Sequence, residues 1–264
     1  MEKIYSYYSI NDGNVVEETL SEHIKNALDV INSIESSKIG KVVHDIFPYI
    51  KGLYEISKML IVFHDLGKVF YQMETNKIAR YLSFKGHEFL STYIFENFYL
   101  SHEKMWASRD IFGIDIIEPL KFAILFHHHA MDIRKREELL KNLGMDNLMN
   151  GISLFNQLYE DVEVFLNPED RKTFKNALDK ISEKIKSTDS FINQLRLEIR
   201  REVNDVWRNV WINGGNKKIS LLLLSVLIVA DNMSAQMKRG SSKTVFHWAV
   251  EEFYRFYFVS VQRF

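Results

Sequence analysis

Five places in this chain put titratable side chains where packing alone has little use for them. His64 and Asp65 end the apolar run Met59-Leu60-Ile61-Val62-Phe63 and lead into Leu66, Gly67 and Lys68. A carboxylate buried at such a point is costly unless a cation or hydrogen-bond donors satisfy it. The still more apolar stretch from Leu221 to Ala230 runs directly into Asp231. His127, His128 and His129 follow the five apolar residues Phe122 to Phe126, and His23 and His87 stand on other helical segments. Neutral imidazole is the commonest protein ligand for borderline metals, and consecutive helical residues, about 100° apart, can face two ions or an ion and a substrate. Five or more imidazoles and two carboxylates are enough to hold two divalent ions, with Asp65 between them.

Each residue also has a plainer reading. His23 taken alone is a half-buried helix histidine, and His87, between Gly86 and Glu88, is an ordinary first residue of a helix. Three histidines at the end of a core-like helix are harder to ascribe to packing. His44-Asp45 repeats the dipeptide, but Ile46-Phe47-Pro48 follows it, so it reads as a decoy. His102 and His247 have no acidic or imidazole neighbour in a suitable context and read as surface or core histidines.

The elements that must carry these groups read as helices. Only 3 Pro and 11 Gly punctuate 264 residues, too few for the many tight turns of an all-β or doubly wound fold. The spacing predicts helices over Glu18–Ile34, Leu53–Asp65, His87–Tyr99, Ile116–His128, Ser190–Trp211, Lys217–Lys238 and Thr244–Val261, with no competing strand pattern. Gly67 reads as a helix stop and Asn213-Gly214-Gly215-Asn216 as a turn. One all-α domain over residues 1–264 is expected, with a polar insertion of two or three surface helices at about 131–188. The aromatic C-terminal helix has more apolar faces than one core stripe requires, so it reads either as sandwiched by the bundle or as a docking surface.

Composition narrows the chemistry. With 34 basic and 35 acidic side chains the net charge is −1, so any polyanion contact must be local. No Cys is present, which excludes disulfides, thiolate metal sites and thiol nucleophiles. The N-terminus lacks an apolar signal-like core, and the run from Ile219 to Ala230 is too short to span a bilayer. A cytoplasmic protein without a membrane partner is expected.

The order His23, His64-Asp65, His87, a His-His pair within 127–129, then Asp231 resembles the HD phosphohydrolase pattern in its extended form. More narrowly it resembles the CRISPR-associated HD nuclease in its stand-alone form, lacking the fused helicase. Ser21-Glu22-His23, His64-Asp65-Leu66-Gly67-Lys68, and Ala230-Asp231-Asn232-Met233-Ser234 leading to Arg239-Gly240 carry that likeness. The motif-bearing parts are about residues 17–68, 84–130 and 217–240, roughly half the chain. The chain departs from the pattern in offering three histidines before Ala130: His128 belongs to the pair on either alignment, while His127 and His129 compete for the other place.

The resemblance implies an all-α HD-domain bundle with a dinuclear metal site in its core. It implies a nuclease that cuts single-stranded DNA, and RNA by extension, in CRISPR interference. One ion would be held by His23, His64, Asp65 and Asp231, and a second by Asp65, His87 and two of the triplet histidines. The ions would activate water for attack on phosphorus and neutralise the non-bridging oxygens. Such an imidazole-rich set favours Mn, Fe, Co, Ni or Zn over Mg, which prefers oxygen ligands. Lys68 would act beside the scissile phosphate, or else be a solvated lysine past the helix end. Lys238 and Arg239, with Lys243 and Lys217-Lys218, would contact the strand or be plain surface charges; Arg134-Lys135-Arg136 is offset by Glu137-Glu138. No Walker-type phosphate loop occurs, so a separate helicase subunit and a crRNA-guided complex are implied as partners. Two alternatives stay open: an HD-superfamily nucleotide or cyclic-nucleotide phosphohydrolase, and a non-enzymatic helical subunit.

Overall fold

A computed structural model describes residues 3–11, 13–48, 50, 52–72, 81–102, 115–128, 140, 143–187, 191–212, 214–239 and 244–259. Among these the protein is mostly helical, with one small two-stranded sheet. Strands β1 (Tyr5–Asn11) and β2 (Asn14–Thr19) form an antiparallel hairpin that pairs Tyr7 with Glu18. Gly13 in the turn has φ +82°, a conformation that glycine adopts without strain. This hairpin corrects the all-α expectation. Its sequence, Tyr-Ser-Tyr-Tyr-Ser-Ile-Asn, has no clean apolar alternation to betray a strand, and what it covers is a polar site rather than an apolar core.

Helix α1 (Leu20–Ile31) starts where β2 ends. Thr19 caps it with a reciprocal capping box: Thr19 Oγ1 accepts from the Glu22 amide at 3.2 Å, and Glu22 Oε2 accepts from the Thr19 amide at 3.0 Å. The buried stripe Leu20, Ile24, Ala27, Ile31 sets the helix against the core and carries His23 inward. Helices α2 (Lys38–Ile46) and α3 (Leu53–Phe63) follow, then a 3₁₀ turn over Leu66–Tyr71, α4 (His87–Leu100) and α5 (Ile117–Phe126).

Helices α6 (Met145–Ser153), α7 (Phe155–Glu163) and α8 (Pro168–Ser187) occupy the region expected as a polar surface insertion. They contribute to the core. Phe174, Ala177, Leu178, Ile181 and Ile185 make one buried stripe along α8, and the Phe174 ring packs edge-on against Phe63 with centroids 5.6 Å apart. The high average polarity of this stretch hid a narrow amphipathic face.

Helices α9 (Phe191–Ile212), α10 (Gly214–Arg239) and α11 (Val245–Tyr257) complete the fold. Gly214 to Asn216, expected in a turn, lie within the first turn of α10. Helix α10 is the central element, packed against α1, α3, α5, α9 and α11. Taken from Asn216 to Arg239 it is long and apolar enough, by length and composition alone, to cross a membrane; its central packing accounts for the same apolarity as that of a core helix. On α11, Val250 and the following Phe258 are buried while Val245, Trp248 and Phe256 are exposed, so the helix is covered on one side and not sandwiched.

Candidate metal centre

Five elements converge to bring the predicted residues together. Helix α3 ends at Phe63; His64 continues its turn, and Asp65, at φ −112° and ψ 1°, swings the chain into the 3₁₀ segment. Gly67 does more than stop a helix. A Cβ there would overlap the His87 carbonyl and the Ser91 amide nitrogen, and the Gly67 amide donates to Ser91 Oγ at 2.8 Å. The bare backbone lets the segment press onto α4 and puts Asp65 beside His87. Gly86, at φ +91°, turns the chain into α4 so that His87 is its first residue.

Asp65 is the hinge of two ligand groups. His23, His64, Asp65 and Asp231 form one, and Asp65, His87, His127 and His128 the other; within each, one ligand atom per residue lies within 4.8 Å of the rest. Asp65 Oδ2 is 3.5 Å from His23 Nε2 and 3.5 Å from His64 Nε2, while Asp65 Oδ1 is 2.8 Å from His87 Nε2 and 3.9 Å from His127 Nε2. The two oxygens thus face different groups. Asp231 Oδ1 closes the first group 3.1 Å from His23 Nε2, and His128 Nε2 closes the second 3.1 Å from His87 Nε2. His127 and His128 lie just past α5, and both belong to the same group instead of facing separate ions. His129 lies outside the described residues, so among the described histidines the pair is His127 and His128.

The donor set fits a cation. His23 Nε2, His64 Nε2, His127 Nε2 and Asp65 Oδ1 are buried without an aligned hydrogen-bond partner, a costly arrangement unless something else engages them. Protonation states fit as well. Burial and the neighbouring imidazoles depress His127 to about 3, and burial likewise holds His64 low and His128 well below the usual range, so each keeps a lone pair free. Burial opposes charge on both carboxylates. His64 and Lys68 nevertheless hold Asp65 well below the usual range, and His23 does the same for Asp231. Neutral imidazole and ionised carboxylate are the forms that metals bind. His23 is the exception: burial disfavours its charge, but Asp231 and Glu18 push it up to about 9. Buried His/Asp groups of this kind can hold a metal ion.

Each group has three buried members and one partly exposed member, Asp231 at 18% side-chain exposure and His128. The Asp231–His128 edge is therefore the accessible side. Lys68 is no solvated lysine: its Nζ is buried, 2.6 Å from Asp65 Oδ2, and donates to Ser6 Oγ at 3.0 Å. Ser6, which sequence reasoning missed, comes from β1 and also donates to Asp65 Oδ2 at 3.3 Å. Lys238 pairs with Glu22 on the surface, and Arg239 with the buried Glu18 at 2.8 Å, its guanidinium 4.3 Å from the Tyr7 ring centroid. Lys238 and Arg239, two of the cations expected to contact nucleic acid, thus already have acidic partners. Lys243 and Arg134-Lys135-Arg136 lie outside the described residues.

His44 and Asp45 are exposed on α2, as a decoy should be. His102, read from sequence as a plain surface or core histidine, pairs with Asp170 at 2.9 Å across 68 residues of sequence, a contact that only folding creates. Comparison with protein-family models, curated proteins and solved structures gives no match to this chain.

Proposed function

We propose that the protein is a metal-dependent phosphodiester hydrolase of the HD type, acting on single-stranded nucleic acid. The observation that carries this reading is the pair of ligand groups sharing Asp65, each with an open edge and with orphaned nitrogens turned inward. Bound there, divalent transition ions such as Mn, Fe, Co, Ni or Zn would supply Lewis-acid stabilisation of a phosphate and activation of water; the nitrogen-rich donor set makes Mg the poorer fit.

The chain's own residues supply the rest. Asp65 offers one oxygen to each group, and the backbone pressed down by Gly67 keeps it there. Lys68 places a buried ammonium against Asp65, with Ser6 Oγ and the Ser6 carbonyl accepting from it as well, so its part is to hold Asp65 ionised and in place. His128 and Asp231, on the accessible edge, are where a strand would approach. On this reading the chain works in the cytoplasm in CRISPR interference, with strand separation left to a separate helicase subunit and targeting to a crRNA-guided complex. The likeness of motif order supports that context.

The test is cleavage of labelled single-stranded DNA by metal-stripped protein given back Mn, Ni or Mg, with Asp65→Ala and His128→Ala alongside. Metal-restored cutting that both substitutions abolish is expected. Absence of cutting with hydrolysis of small nucleotides would replace this reading with a nucleotide phosphohydrolase; silence on both substrates would sink the enzymatic reading of the isolated chain.

A further inference from the structure

Four of the ligand histidines divide by what holds their second nitrogen. His64, His87 and His127 each place Nδ1 on the carbonyl of the residue three positions back, Ile61, Phe84 and Ile124, at 2.7, 2.6 and 2.6 Å. Those bonds are local and come with the backbone turn. His23 has no such carbonyl and turns Nδ1 to side chains at hydrogen-bond distance, Ser234 Oγ at 2.8 Å and Glu18 Oε1 at 3.3 Å, whereas the Glu88 carboxylate stands off at 3.7 Å from His87 Nδ1. Ser234 Oγ also lies 3.4 Å from the His23 carbonyl, to which it can donate, leaving its oxygen to accept from the ring.

Glu18 is the odd residue. It is fully buried at the end of a two-stranded hairpin, where a carboxylate contributes nothing to packing and costs several kcal/mol unless paired. Both its oxygens are committed, Oε1 to His23 and Oε2 to Arg239 at 2.8 Å. Cross-strand pairing with Tyr7, together with the capping box at Thr19, fixes the position from which it reaches His23.

From this we infer that Glu18 is a positioning residue for the first ligand group: it keeps the His23 proton on Nδ1 and the ring turned so that Nε2 faces Asp65 and Asp231. Arg239 anchors the carboxylate from the end of α10, and Ser234 shares the proton. A carboxylate behind a ligating imidazole raises its basicity and sets its orientation, and loss of such a partner typically weakens a metal about 10–100-fold. Arg239 is thereby a support for the site, tying the N-terminal hairpin to the last turn of α10. The inference rests on the metal-binding reading of the cluster.

The experiment is titration of metal-free protein with Zn(II) against a chromophoric chelator, for wild type, Glu18→Ala, Glu18→Gln and Arg239→Ala, with ¹⁵N NMR of the histidine rings. Expected for Glu18→Ala is one of two ions weakened about 10–100-fold and the other unchanged within about threefold, with loss of the Nδ1–H signature of His23. Glu18→Gln, whose amide oxygen still accepts from Nδ1, is expected to recover part of the affinity, and Arg239→Ala to lose less than Glu18→Ala. Wild-type behaviour of Glu18→Ala on both ions would overturn the inference while leaving the metal site intact. Equal weakening of both ions would overturn it in favour of general damage to the fold. Wild type that binds no Zn(II) would overturn the metal reading itself, and the inference with it.

Discussion

Two buried polar clusters in this protein solve the problem of burying charge in opposite ways. Around Asp65, five imidazoles and two carboxylates gather with acceptor atoms facing one another and several left without aligned partners. Between α4, α5 and α9, Lys121 brings its own ammonium among glutamates: it is 2.8 Å from Glu118, 3.8 Å from Glu96 and in contact with Glu202. The second cluster carries its counter-ion in its sequence, and the acids lift Lys121 above the usual lysine range in spite of burial. The first carries Lys68, which meets one oxygen of Asp65, and a raised His23, and still leaves Nε2 of His64 and of His127 without an aligned partner. A cluster completed from within has no use for an outside cation, whereas one with orphaned acceptors can hold a metal ion.

That contrast breaks most sharply at Asp65. Asp65→Ala removes the one residue common to both ligand groups, so both ions and strand cleavage should be lost together, the latter by at least about 10²–10³-fold, the scale of losing one preorganised electrostatic group. Single-turnover cleavage and metal stoichiometry measure it; retention of either would break the comparison. Lys121→Met should do the converse: it leaves partly buried glutamates without a counter-ion and should cost roughly 2 kcal/mol of stability, less than a fully buried pair, read by denaturant unfolding, while Zn(II) affinity stays within about threefold of wild type. A variant that lost metal affinity as well would show that the two clusters are not separate.

Metal removal sharpens the same point. Loading at about one hundred times Kd should stabilise the protein by about 2.7 kcal/mol, a rise of about 5–10 °C in Tm for a chain of this size. Lys121→Met should show the same increment on a lower baseline.

The smallest effect is one of pH. Burial and the Glu202 carboxylate push Glu96 up to about 7, from an ordinary 4.5, with Lys121 opposing. A carboxyl whose folded pKa is raised contributes stability that is fully present below about 4.5 and is lost as pH rises through about 7. Glu96→Gln keeps the neutral form throughout. At pH 8 it should be more stable than wild type by about 1 kcal/mol, or about 2–4 °C in Tm, a shift well discounted for its partial exposure. The gap should close by pH 5, and a gap that widens on acidification would reverse the assignment.

Most residues around Asp65 were legible because they interrupt an apolar helix at a point where packing has no need of charge, whereas His23 and His87 taken alone read as ordinary helix histidines. His64-Asp65, His127-His128 and Asp231 all announce themselves in this way, and no composition of the surrounding helix explains them. Ser6 and Glu18 did not, since a serine ahead of the first expected helix and a glutamate at the start of it, which folding puts in β2, carry no such contradiction. Nor did Lys121 among its glutamates or His102 with Asp170, whose partners lie on other helices and whose pairing leaves no local trace. The stripe of α8 was hidden by polar neighbours, and the hairpin by tyrosines that suit either a strand or a rim.

What the amino-acid sequence determined by itself is the mostly helical character of the chain and the places where His64-Asp65, the histidine run and Asp231 interrupt apolar helices, because periodicity and the misplacement of charge are local properties. Only the tertiary structure decided which oxygen of Asp65 faces which group, that His127 and His128 share one group, that Lys68 is buried, and that Glu18 and Arg239 brace His23. Those depend on close approach between segments up to 221 residues apart, as between Glu18 and Arg239, and such approach is set by how side chains fill the space between helices and by where a glycine leaves room, which no run of neighbouring residues encodes.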